Sequence, residues 1–390
     1  MIKIMSRFSD DFVMRYYDNI TESFLLERLP PYLKEFPEAQ GFIDFYCDNL
    51  RDFIISEFNV LLFLQEKIDK AFPIISESYT PNIFYGNKCA ARCENIEMVI
   101  SMPLRGQGPI NKIWGLKEKC LNELTEFANI HESYYVNLLR HKMLAASNAH
   151  DVKSICKEFK HITEEKINPH ENMPEWVQGL SELLSYKKIP ADLLTRLVVD
   201  IEMDFCPMCN ESKIGYIIDD DNIYRPALDH FLPKSKYPQF SLSLYNLIPS
   251  CYTCNSLFKR DKDTFVPMHA NPYILGSDDV RLFDLEELVL SVLYNNSSSV
   301  RIRIRSVGPE INNNMKLFKI LGVYNKRSTK EDVISLVGQF KSYNERWKLY
   351  MKYNEFINEI IGFKNDKCLF EMAHGKLKKD MIEFFLDFKW

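Results

Sequence analysis

No stretch of the chain approaches 18 uninterrupted apolar residues, so nothing in it reads as a membrane-spanning helix. The N-terminus lacks a basic flank, an apolar run and a small-residue cleavage site in that order, which argues against a secretory leader. Cytoplasmic residence is the expectation. Glycine and proline are scarce, at 13 and 18 of 390 residues, while aromatics reach 13%. That composition suits an ordered, core-forming protein and excludes a flexible, low-complexity one. An excess of positive charge is missing too: the net charge is −5. Whole-molecule attraction to nucleic acid is therefore excluded, and phosphate contacts have to come from local patches. No internal repeat is present.

What the chain does have is 46% apolar residues, ample for two or three domains. The periodicity reads as a mainly helical α+β protein in three regions, 1–200, 201–275 and 276–390. Apolar residues recur at three- and four-residue steps in Phe42–Leu64, Leu116–Leu144 and Leu193–Met203. The helical region 1–200 is expected to dock a partner or sense a signal. Short segments rich in Cys, Pro, Asn and Tyr follow from Phe205 to Pro272. Residues 299–307 (SVRIRIRSV) alternate as a strand, with Val300, Ile302 and Ile304 on one face and Arg301, Arg303 and Arg305 on the other. Helical spacing returns over Met315–Leu321, Lys330–Ile360 and the tail 363–390, whose Phe384, Phe385, Phe388 and Trp390 offer a packing face.

Ten cysteines in a reducing compartment point to metal before disulfides. Cys206 with Cys209, and Cys251 with Cys254, form two Cys-x-x-Cys pairs. Each pair can grip one tetrahedral ion from a tight turn, and four thiolates make a closed structural zinc site. Forty-one residues separate the pairs, more than the roughly 15–20 of a common zinc ribbon. The zinc is thus expected to staple the ends of a longer insertion. Cys47, Cys89, Cys93, Cys120, Cys156 and Cys368 read as ordinary packed thiols.

Inside the staple lie Leu228-Asp229-His230-Phe231-Leu232-Pro233-Lys234-Ser235, then Tyr245-Asn246-Leu247-Ile248-Pro249-Ser250, then Cys254-Asn255-Ser256 and Lys259. These pieces resemble the HNH endonuclease family, in its ββα-metal form with a four-cysteine zinc site. Sixteen positions from His230 to Asn246 and nine from Asn246 to Asn255 suit a hairpin followed by a helix. The resemblance implies a metal-dependent phosphodiester hydrolase. Asp229 would be a hard anionic ligand to Mg²⁺ or Mn²⁺, and Asn255 a neutral oxygen ligand where many relatives carry a histidine. His230, next to Asp229 but on the opposite side of a strand, would be the general base on the attacking water. Asn246 would bond across the hairpin loop and fix the backbone that carries His230.

From Arg225 to Lys262 there are six basic and two acidic residues, a local excess suited to steering phosphate. Lys234 and Lys259 are the first candidates for nucleic-acid contact, with the Arg301/Arg303/Arg305 ladder as a further one. Pairing of that ladder with acidic side chains of a neighbouring helix is the other reading. Ala270-Asn271-Pro272-Tyr273 and Leu317–Arg327 resemble bacterial HNH proteins that partner with ATPases in Septu-type and retron-linked anti-phage systems. The implied activity is DNA cleavage as a defence effector, with RNA left open. An ATPase or other defence subunit would be a partner, and oligomerisation is compatible. The competing expectation is a zinc-stapled module that binds nucleic acid without cutting it.

Overall fold

The computed structural model describes all residues except 1, 5–7, 87–92, 165, 220–221, 295–299, 366–367 and 388–390. Cys89, Ser299, Phe388 and Trp390 lie outside the described residues. Helix accounts for 66% and strand for 4%, so the chain is mainly helical with small two-stranded sheets. It divides into two compact units, a helical one of Tyr17–Tyr186 plus Lys234–Leu242, and a mixed one of Met1–Tyr16, Lys187–Pro233 and Ser243–Trp390. Apart from Lys234–Leu242, everything from Lys187 onward clusters in the mixed unit. No helix of the described chain is long and apolar enough to cross a membrane.

In the helical unit the periodic run 42–64 is three helices, Gln40–Asp48, Leu50–Ile55 and Phe58–Ala71, broken at Asn49 and Ser56. Their apolar stripes meet in an aromatic core. Tyr46 stacks on Phe53 at 4.3 Å, and Phe42 meets Phe72 edge-on at 5.4 Å. The segment Lys234–Leu242 completes this core: Tyr237, Phe240 and Leu242 are buried, Phe240 lies 5.8 Å from Phe53, and Gln239 Nε2 donates to Gln65 Oε1 at 2.5 Å.

The run 116–144 is likewise two helices, Lys117–His131 and Tyr134–Ala145. Glu132 turns into the left-handed region (φ 50°) and ends the first. Ser133 caps the second by accepting the Val136 N–H at 3.1 Å. The fully buried Glu77 reaches the same helix start, accepting from the Tyr134 and Tyr135 N–H groups at 2.8 and 3.1 Å. A carboxylate is favoured there by the helix dipole, while burial pushes its carboxyl up.

The mixed unit carries three antiparallel strand pairs. They are β1 (Ile217–Asp219) with β2 (Asn222–Tyr224), β3 (Ala227–His230) with β4 (Leu247–Ser250), and β5 (Phe283–Asp284) with β6 (Arg303–Ile304). The C-terminal helix Gly375–Asp387 ties these pieces together. Its Lys376 and Asp380, one turn apart and both buried, pair at 2.6 Å. Asp380 Oδ2 accepts the Leu282 and Phe283 N–H groups at 2.7 and 3.0 Å, and Lys376 Nζ donates to the Val280 carbonyl at 2.7 Å. Both charges are thereby paired and hydrogen-bonded, the condition for burying them. Other bonds tie this C-terminal part to residues 201–275: Asn314 Nδ2 donates to the Ala270 carbonyl at 2.8 Å, and the His374 N–H to the Asn210 carbonyl at 2.7 Å.

The arginine ladder needs correction. Alternation holds, with Val300 and Ile302 buried and Arg301, Arg303 and Arg305 exposed, but only Arg303–Ile304 pairs as strand. Arg303 is paired with Glu287 of the helix Glu286–Leu293, and Arg305 with Asp284 of β5 at 3.4 Å. Two of the three guanidinium groups thus meet carboxylates, so the face is not an open phosphate track. The pairs are half-exposed and each contributes about 1 kcal/mol or less.

Candidate functional site

Cys206, Cys209, Cys251 and Cys254 are all buried, and their sulfur atoms lie within 4.8 Å of one another. Cys209 Sγ and Cys251 Sγ are 4.0 Å apart. Four bonds of about 2.3 Å in a tetrahedron put sulfurs ~3.8 Å apart, so the donor set fits a metal ion such as zinc. The turn at the second pair is drawn tight by the Cys254 N–H donating to Cys251 Sγ at 3.4 Å. The first pair is closed by Asn210 N–H donating to the Cys206 carbonyl at 2.7 Å, with Asn210 in the left-handed region (φ 53°). Without an ion, burial pushes the Cys206 thiol up while hydrogen bonds from neighbouring thiols hold Cys251 down. The other thiols are unremarkable: Cys120 and Cys156 are buried, Cys47 and Cys93 half-buried.

Between the two halves of the cluster, β3 carries Asp229 and His230, paired with Ile248 and Leu247 of β4. Asn246 sits at the entrance to β4, fully buried. Its Oδ1 accepts the Leu232 N–H at 2.7 Å, its Nδ2 donates to the Leu232 carbonyl at 3.1 Å, and its own carbonyl accepts the Phe231 N–H at 2.9 Å. One side chain thus takes up both main-chain groups two residues beyond His230. Replacing Asn246 by alanine leaves the donor and the acceptor of Leu232 buried and unmet. At about 1–3 kcal/mol per group, the loss is about 2–6 kcal/mol. Urea denaturation monitored by fluorescence checks this, and a loss below about 0.5 kcal/mol would contradict it.

The helix Thr253–Lys259 carries Asn255 and Lys259 one turn apart. It is wound as a π-helix, closed by the Arg260 N–H donating to the Asn255 carbonyl at 2.8 Å, a geometry found disproportionately at functional sites. Asn255 is half-exposed. Lys259 is not a surface contact, contrary to the sequence-based expectation. Its side chain is 1% exposed, and its ammonium lies 3.0 Å from Asp229 Oδ1 and 2.5 Å from the His230 carbonyl. Asp229 and His230 are 3% and 8% exposed. Burial pushes the Asp229 carboxyl up to about 6, with the Lys259 ammonium pulling the other way. The helix is therefore bonded to the strand, and Asp229, His230 and the Asn255 helix are brought together. Lys234 is exposed and belongs to the helical unit, its ammonium 5.5 Å over the Tyr186 ring.

Three supporting residues escaped the sequence reading. Buried Thr264 donates to the Phe231 carbonyl, and Tyr273 OH to the Leu247 carbonyl at 2.8 Å, one behind each strand of the hairpin. Asn210 accepts the Lys376 N–H at 2.9 Å and donates to the Leu369 carbonyl at 2.5 Å, fastening the cysteine turn to the C-terminal segment. A signal for Asn210 exists: each Cys-x-x-Cys pair is followed directly by asparagine. Thr264 has none, and Tyr273 stands only in the run Ala270-Asn271-Pro272-Tyr273, where no role was read for it. Set against known proteins, the chain matches no family model, no curated protein and no solved structure.

Proposed function

We propose that this protein is a metal-dependent endonuclease of the HNH kind, hydrolysing phosphodiester bonds of DNA as an effector in anti-phage defence. The reading is carried by one arrangement: Asp229 and His230 side by side on a strand, locked by Asn246, between the halves of a four-cysteine cluster, and joined through Lys259 to the helix bearing Asn255 that runs on from the second half. The cysteines would hold zinc as a structural clamp. A hard divalent ion, Mg²⁺ or Mn²⁺, would be held by Asp229 and Asn255 and would supply Lewis acidity to the phosphate.

His230 leaves β3 on the side opposite Asp229, so its imidazole takes the proton of water from the far side of the phosphorus. Asn246 keeps that imidazole in place through the Leu232 backbone. Exposed Arg260 and Lys262, on and just beyond the end of the Asn255 helix, supply positive charge for phosphate outside the buried residues. The helical region would dock an ATPase or another defence subunit.

The test is zinc-loaded protein with supercoiled plasmid in Mg²⁺ or Mn²⁺ against the same mixture in excess chelator. Nicked or linear DNA should form only with the divalent ion. A second reading, a module that holds nucleic acid without cutting it, draws on the burial of Asp229 and His230. Retained DNA with no cleavage under any metal and with single- and double-stranded DNA and RNA would favour it.

A further inference from the structure

Lysine is among the residues least often buried without a partner, and Lys259 is almost wholly enclosed. The enclosure is built around its charge. Among the described residues the Asp229 carboxylate meets one cation, the Lys259 ammonium at 3.0 Å, and the same ammonium donates to the His230 carbonyl at 2.5 Å. A carboxylate buried without a counter-charge is strongly disfavoured, so a site designed around a removable ion needs a substitute whenever that ion is gone.

We propose that Lys259 is that substitute: a tethered counter-cation that occupies Asp229 in the metal-free protein and competes with the divalent ion for it. This deepens the nuclease reading and rests on it. Lys259 closes the helix that also carries Asn255. One short element thus carries both the residue proposed to offer the ion a neutral oxygen and, bonded to Asp229, the ion's rival. Because the ammonium is docked on the Asp229 carboxylate and the His230 carbonyl, an arriving dication meets a positive charge a few ångströms away in a buried, weakly screened place. Loading then means moving the ammonium off Oδ1. Metal affinity is lowered by the cost of that exchange, and the site stays closed until the divalent ion is abundant.

The experiment uses the full chain with its zinc content verified. Mn²⁺ affinity is measured by the paramagnetic resonance of free Mn²⁺ and by calorimetry for wild type, Lys259→Gln and Lys259→Met. Glutamine keeps a donor for the His230 carbonyl without the charge, so it folds even if the methionine variant does not. Removing one charge at this distance is expected to tighten Mn²⁺ binding about tenfold or more. It should also lower the melting temperature of the metal-free protein and enlarge the rise that Mn²⁺ produces. Wild-type affinity or weaker in Lys259→Gln overturns the proposal. Asp229→Asn in each background separates the two claims. If Asp229→Asn abolishes Mn²⁺ binding while Lys259→Gln leaves it unchanged, only the competition fails. If binding ignores Asp229 altogether, the nuclease reading fails with it.

Discussion

Replacing His230 by alanine should remove metal-dependent cleavage while leaving zinc content and folding unchanged. A positioned general base contributes roughly 10²–10⁴-fold to rate, and no other histidine lies in the hairpin or the helix that follows it. The fold is expected to survive because the backbone at 230 makes bonds that do not depend on the imidazole. The residue pairs with Leu247 in the ladder, and its carbonyl receives Lys259. Alanine keeps both. The measurement is the initial rate of plasmid nicking at saturating Mn²⁺, beside a melting curve and a zinc assay. A variant that cuts within tenfold of wild type would remove His230 from the chemistry.

Taking away the zinc should have the larger effect on structure. The four cysteines close a loop whose interior holds β3, β4 and the residues between them, and that loop has few long helices to fall back on. Apparent binding energies of structural zinc reach about 10–16 kcal/mol in small zinc modules, against a typical whole-domain stability of about 5–15 kcal/mol. The double substitution Cys251→Ser with Cys254→Ser should therefore lose its zinc and melt at least about 10 °C lower, or fail to accumulate as folded protein. Wild type should carry one zinc per chain by elemental analysis. Purified wild type that holds no metal, or a double variant with wild-type melting, would end the zinc assignment.

The cysteine cluster was legible because ligand spacing is a local code: two residues between thiols set a turn that serves one ion. Asp229, His230, Asn246 and Asn255 were singled out by their resemblance to a family motif; Asp229 and His230 stand on β3, Asn246 just before β4 and Asn255 on the helix that follows. What escaped depended on partners distant in sequence. Arg303 and Arg305 looked like an open basic face until Glu287 and Asp284 were placed beside them. Lys259 looked like a surface cation, since nothing in its neighbours encodes a carboxylate thirty residues earlier. The helix ends within the first region were not legible for a related reason. Apolar periodicity runs through the breaks at Asn49 and Glu132, and only backbone geometry, such as the left-handed turn at Glu132, marks them.

The segment Lys234–Leu242 has a bearing on synthesis. Domains generally fold as units while the chain is still emerging, yet the helical unit takes Tyr237, Phe240 and Leu242 into its own interior. When residue 186 leaves the ribosome, that interior still lacks a wedge, and the wedge arrives only after the first cysteine pair and β3 have been made. Nascent helices must therefore wait, half-finished, for a piece of the loop between β3 and β4. Premature termination near residue 200 would yield a protein with its hydrophobic seam open, a substrate for quality control.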